Sequence, residues 1–158
     1  MGDSGAFYGY ASTDGIAWKQ IGAPVELAMT ESVEVGLVVT SRSTEKAATA
    51  VFDQVAGLPA EPAHAAIGGP LPFGAYQNRN GRVTLTGSGH DMWISPDQFY
   101  FAHRPLKGAG EIVARIADFA TTEEWAKAGL MIRESLAHDA QFVDLVQTGA
   151  HGCCLQWR

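Results

Sequence analysis

Between Glu111 and Thr148 the chain breaks into three short apolar-rich runs: EIVARI (Glu111–Ile116), WAKAGLMIRES (Trp125–Ser135) and FVDLVQT (Phe142–Thr148). Polar, turn-forming segments separate them. This is the pattern of a meander of antiparallel strands. RVTLTGSG, QFYFAHRPL and CCLQWR extend it on either side. No segment carries a sustained helical stripe. TTEEWAKAGLM opens with the Thr-x-x-Glu spacing of a helix cap, but its glycine and strand-like continuation argue for a strand. The expected fold class is all-β.

The order of segments divides the chain into two pieces and a linker. In residues 1–56, FYGYAS and IAWKQIG flank Thr13-Asp14-Gly15 and predict two strands about a tight turn, because glycine there accepts positive φ. VEVGLVVTS (Val33–Ser41) reads as a buried strand. AATAVFDQV (Ala47–Val55) alternates, with Ala48, Ala50 and Phe52 on one parity. Residues 57–74 hold four of the seven prolines and predict a linker. Residues 75–158 hold the remaining strands. Gly87-Ser88-Gly89 is read as a turn.

Composition bounds the partners. A net charge of −6, from 17 acidic and 11 basic residues, disfavours a nucleic acid or an anionic membrane surface. It leaves a neutral sugar or a cation as ligand. No apolar run reaches the roughly 18 residues of a membrane span. Met1–Tyr10 lacks the basic start and apolar core of a secretory signal. The chain is therefore expected to be cytoplasmic or a piece of a longer secreted protein, and the second is preferred. The adjacent Cys153 and Cys154 point to opposite faces of a strand and are expected as reduced, packed thiols. No histidine or cysteine spacing suggests zinc.

Two constellations carry candidate chemistry. In GSGHDMWISPDQFYF, Asp91 and Asp97 flank Trp93. Clustered carboxylates suit a hard cation such as calcium, although Asp97 could equally cap a turn. Trp93 reads as a packing residue or a sugar platform. In WAKAGLMIRES the small-apolar parity faces the core, which places Lys127 and Arg133 on the opposite face. Asp144, Gln156 and Arg158 are expected beside them on neighbouring strands. Planar Arg, Asp and Gln groups beside an aromatic surface suit sugar hydroxyls. A solvated face with an Arg133–Asp144 ion pair explains the same residues. No nucleophile elbow and no phosphate-binding loop is present.

EIVARI, WAKAGLMIRES and the terminal LQWR together resemble the bacterial secreted β-sandwich domains of the concanavalin A-like lectin/glucanase superfamily. The nearest group is the "regulation of enolase protein" type and related domains of unknown function. The resemblance implies an antiparallel, jelly-roll-like β-sandwich. Its halves are reversed: TDG, W, VEVGLVVTS and ATAVFDQV resemble the back half of the family domain, and GSGHDMW, DQFYF, PLKGAGEIVARI and WAKAGLMIRES the front half. A fragment across two tandem domains is expected, or a circular permutant. Either leaves strand edges at Gly152–Arg158 and Phe7–Ala11 that invite a strand-mediated homodimer. The superfamily's hydrolases carry a Glu-x-Asp-x-x-Glu pattern, which is absent. The expected function is a non-catalytic glycan-binding or adhesion module of a larger extracellular or cell-surface bacterial protein. A structural spacer in a tandem array and a glycan-active hydrolase are the alternatives. Candidate ligand residues are Lys127, Arg133, Asp144, Gln156, Arg158 and Trp93.

Overall fold

A computed structural model describes residues 4–69, 71–121 and 123–158. The described chain is all-β, with fourteen strands: β1 (Ser4–Phe7), β2 (Tyr10–Ala11), β3 (Lys19–Gln20), β4 (Val25–Ala28), β5 (Ser32–Thr40), β6 (Ser43–Ala56), β7 (Ala63–Ile67), β8 (Gly74–Arg79), β9 (Arg82–Gly89), β10 (Phe99–Lys107), β11 (Val113–Ala120), β12 (Lys127–Arg133), β13 (Phe142–Thr148) and β14 (Cys153–Trp157). They build a six-stranded sheet, in the order β14-β13-β12-β5-β10-β7, and a four-stranded sheet, β11-β6-β9-β8. Two small ribbons, β1-β4 and β2-β3, complete the fold.

The two larger sheets pack face to face. Leu37 and Val39 of β5, Tyr100 and Ala102 of β10 and Ala128 of β12 meet Ala48, Ala50 and Phe52 of β6 and Val83 and Leu85 of β9. The alternation in AATAVFDQV works as its period requires: Ala48, Ala50 and Phe52 are all fully buried. VEVGLVV lacks such alternation for a physical reason. Central β5 is covered on both faces, so Val35, Leu37 and Val39 on one side and Val38 on the other are all buried. At Gly129 of β12 an added Cβ would stand 2.2 Å from the Leu145 carbonyl oxygen, so only glycine fits the strand spacing there.

Strands from both sides of residues 57–74 share each sheet. β5 lies between β10 and β12, and β6 lies between β9 and β11. Part of the 57–74 stretch is itself strand: β7 pairs antiparallel with β10, from Phe99↔Ile67 to His103↔Ala63. Its five residues contain no proline, so every ladder donor is present.

Three local expectations are corrected. The hairpin about Thr13-Asp14-Gly15 is only two residues deep on each side. Its loop is organised instead by Asp14, whose carboxylate accepts from the Ile16 and Ala17 amides at 2.8 Å. Those bonds hold its carboxyl below the usual range. Gly87-Ser88-Gly89 ends β9 and is not a turn. β1 and β4 were not foreseen. They supply Phe7, Val25 and Leu27, which with Met29 pack on Val143 and Leu155 beside the four-stranded sheet.

Candidate functional site

The expected parity of β12 holds. Lys127, Gly129, Met131 and Arg133 share the face of the six-stranded sheet that points away from the four-stranded one. Asp144 lies opposite Met131 on one side and Gln156 on the other. Phe142 lies opposite Arg133 and exchanges 3.0 Å backbone bonds with Arg158. Lys127, Arg133, Asp144, Gln156 and Arg158 thus stand on one face of three adjacent strands, as the sequence predicts.

The surroundings differ from the open, solvated face that was expected. Relative exposures are 2% for Lys127, 0% for Arg133, 1% for Asp144 and 8% for Gln156. The cause is a second apolar core. Met92, Phe99, Phe101, Met131, Phe142 and Val146 pack together over this face. Met92 comes from the loop between β9 and β10, so the GSGHDMWISPDQ segment covers the sheet instead of standing beside it.

The charged groups are paired within the chain. Asp97 is fully buried and bridges two guanidinium groups. Arg158 Nη1 and Nη2 donate to its two oxygens at 2.9 and 2.7 Å, and Arg133 Nη2 reaches Oδ2 at 3.4 Å. Arg133 also donates to the Ser135 carbonyl at 2.6 Å and lies over the Phe99 ring. Burial pushes its guanidinium below the ordinary value, and Asp97 opposes that shift. The expected Arg133–Asp144 pair does not form. Asp91 accepts from Lys127 on one oxygen and from Arg42 at 2.8 Å on the other. Both carboxylates expected to bind calcium therefore already face basic side chains. Among the described residues no three His, Cys, Asp or Glu side chains cluster as metal ligands. The residues do not fit calcium.

Asp144 stands apart. Both of its carboxylate oxygens, and Oε1 of the neighbouring Gln156, are buried without a hydrogen-bond partner. Three buried acceptor atoms on two neighbouring strands thus lack a hydrogen-bond partner among the described residues. Burial raises the Asp144 carboxyl well above its ordinary value; Lys127 opposes the shift, and Asp91 and Asp97 add to it. Cys153 and Cys154 are free; Cys153 is exposed and Cys154 half-buried.

The covering loop is tightly held. The Gln98 amide donates to the Asp91 carbonyl at 2.7 Å, and the Asp97 amide to the His138 carbonyl at 2.8 Å. The Met92 amide donates to Asp91 Oδ1 at 2.8 Å. The Thr40 hydroxyl lies 3.0 and 3.1 Å from the Gly89 and Gln98 carbonyls and shares its one proton between the two sides of the neck. Gly89 has φ of +133°, and a Cβ there would lie 2.1 Å from the Gln98 carbonyl oxygen. From this anchored loop Trp93 and Ile94 project outward, 56% and 73% exposed. Trp93 is therefore not a core residue.

A second feature escaped the sequence reading. Arg42, Glu123, Glu124 and Trp125 line an open pocket of about 410 Å³. Trp125 lies in the turn before β12, outside the strand parity assigned to it. Its indole stacks on the His151 imidazole at 3.9 Å between centroids. These groups come from the β5–β6 connection between the two sheets, the β11–β12 turn and the β13–β14 hairpin. No spacing in the sequence brings them together, and only the Trp-after-two-Glu triplet hints at them. In comparisons with known proteins, no family model, no curated protein and no solved structure matches the chain.

Proposed function

We propose that this chain is a non-catalytic glycan-binding or adhesion module, working as an accessory domain of a larger extracellular or cell-surface bacterial protein. One observation carries the reading: a loop anchored from beneath by Asp91 and Asp97 presents Trp93 and Ile94 to solvent. Burying charge is costly in desolvation, even when it is paired. A chain that places one buried and one partly buried carboxylate under one loop, and large apolar groups on its outer surface, has fixed the position of a contact surface. An indole held in one place loses little freedom on binding. Its flat apolar face suits the C–H face of a pyranose. The motif resemblance to concanavalin A-like sandwiches supports the same reading, and the net charge of −6 agrees with a neutral ligand.

The test is affinity electrophoresis of the folded chain through gels containing single polysaccharides, with Trp93→Ala as the variant. Retardation by one glycan, weakened about tenfold or more in the variant at unchanged unfolding midpoint, is the expected result. Tenfold corresponds to about 1.4 kcal/mol, within the range for burying an aromatic face. No retardation by any glycan would overturn the reading. A spacer role would then stand, which one observation favours: Lys127, Arg133, Asp91 and Asp97 already satisfy one another and need no ligand.

A further inference from the structure

We propose that the pocket between Arg42, Glu123, Glu124 and Trp125 is a subsite for one neutral pyranose unit, separate from Trp93. The inference rests on the glycan reading and names a place and a ligand class that the reading leaves open.

The indole of Trp125 forms one wall. His151 covers one ring face, stacked at 20° between planes, and is not among the pocket residues. The other face is left to the pocket, and the residue is 47% exposed. A half-covered indole is a platform for a flat, partly apolar ring. The polar walls each have a charged or polar neighbour outside the pocket. Arg42 uses a single nitrogen, Nη1, for both Asp91 at 2.8 Å and the His90 carbonyl at 3.4 Å. Its Nε and Nη2 have no partner among the described residues. Lys46 holds Glu123 through Oε1 at 2.9 Å. His151 holds Glu124 through Oε2 at 3.5 Å. One oxygen of each glutamate remains unengaged among the described residues.

The ligand class follows from this mixed set. A cation would use the two carboxylates and be repelled by Arg42. An anion would use Arg42 and be repelled by the carboxylates. A hydroxyl both donates and accepts, so a neutral polyol engages both kinds of wall at once. A pyranose adds the C–H face that the indole needs. The backbone at Arg42 agrees with a functional position. It adopts φ of +61° without being glycine, and such conformations cluster at binding sites because the surrounding structure must enforce them. Beside it the Ser41 hydroxyl lies 2.7 Å from both the Ser43 and Lys46 carbonyl oxygens, with one proton to share between them.

The test uses the whole chain labelled with 5-fluorotryptophan. The four tryptophans give four fluorine resonances, assigned by single Trp→Phe variants. The probes are methyl glucoside, methyl galactoside, methyl mannoside and methyl N-acetylglucosaminide, with tetramethylammonium chloride and sodium sulfate as charged comparisons. The expected result is a saturable shift of the Trp125 resonance with at least one glycoside and with neither salt. Arg42→Asn, which tolerates the left-handed backbone and removes the guanidinium, should weaken that binding about tenfold. The chain should still unfold cooperatively, and Trp93 should keep its own response to any glycoside that shifts it. If a glycoside shifts Trp93 and leaves Trp125 still, the glycan module stands and the subsite is overturned. If tetramethylammonium or sulfate moves Trp125 as strongly as the sugars do, the neutral-sugar assignment is overturned. If no sugar moves any of the four, the subsite and the glycan reading fall together.

Discussion

Replacing Asp144 by asparagine should make this protein more stable at neutral pH. Asp144 sits in the middle of β13, at 1% exposure, beside Gln156. Its two oxygens and Gln156 Oε1 are three acceptors with no donor. Asparagine has nearly the same shape, carries no charge and supplies an N–H donor on the strand beside Gln156. A buried acceptor left unsatisfied costs about 1–3 kcal/mol, and a new hydrogen bond contributes about 1 kcal/mol. Against this stands the lost attraction to Lys127, which Asp91 already neutralises. The net gain is about 1–3 kcal/mol at pH 7. For a chain of this size each kcal/mol raises Tm by about 2–4 °C. The pH dependence identifies the cause. Burial raises the Asp144 carboxyl above the ordinary 3.8, so the native state holds the proton more tightly than the unfolded chain. That contribution is fully present below pH 3.8 and is lost as pH rises through the raised native value. The difference between Asp144→Asn and wild type should therefore be small in acid and grow toward neutrality. Urea unfolding of both proteins across a pH series measures it. A variant less stable than wild type at pH 7, or a difference that ignores pH, would show that the carboxylate is held ionised and paired, and the argument would fail.

Other substitutions probe the same architecture. Asp97→Ala leaves Arg133 buried with no carboxylate and should cost about 3–5 kcal/mol in chemical denaturation, whereas the exposed pair Lys46–Glu123 should cost under about 1 kcal/mol when Lys46→Ala breaks it. Gly129→Ala forces a Cβ against the Leu145 carbonyl; the soluble yield and the far-ultraviolet strand signal should both fall, and a normal melt would contradict the packing described. β14 is an open edge of the six-stranded sheet, and sedimentation at rising concentration should show a reversible dimer that Trp157→Lys abolishes, since a charge on an edge strand blocks strand addition.

What was legible in the sequence followed periodicity. Ala48, Ala50 and Phe52 on one parity, and Lys127 and Arg133 on the face opposite Ala128, are consequences of the two-residue repeat of a strand. The same repeat is silent about what covers a face. Lys127, Arg133 and Asp144 looked like solvated groups because their residue types usually are. The structure buries them because the loop between β9 and β10 folds Met92 onto the sheet and brings Asp91 and Asp97 with it. Nothing local announces that. Strands β1, β4 and β7 were missed for the opposite reason. They are short and weakly alternating; β1 and β4 pair only with each other across an intervening ribbon, and β7 takes its pairing from the sheet it joins. The pocket at Trp125 depends on one hairpin end and two inter-sheet connections meeting, a property of topology that a linear reading does not contain.

The buried charges and the exposed aromatic groups form one system. Lys127, 3% exposed at its side chain, holds Asp91. Asp91 holds Arg42 through its other oxygen and the Met92 amide through the first. One lysine beneath the sheet surface thus supports both the loop that carries Trp93 and the arginine at the rim of the Trp125 pocket. Removing Lys127 would leave Asp91 partly buried with only Arg42 to neutralise it, and would loosen both surfaces together. Two recognition surfaces with independent supports would respond to separate substitutions. Here Lys127→Met, which keeps the apolar stem and removes the charge, should weaken binding at both Trp93 and Trp125 while leaving the inter-sheet core of Leu37, Phe52 and Leu85 intact. If only one surface responds, the salt-bridge chain is not what connects them.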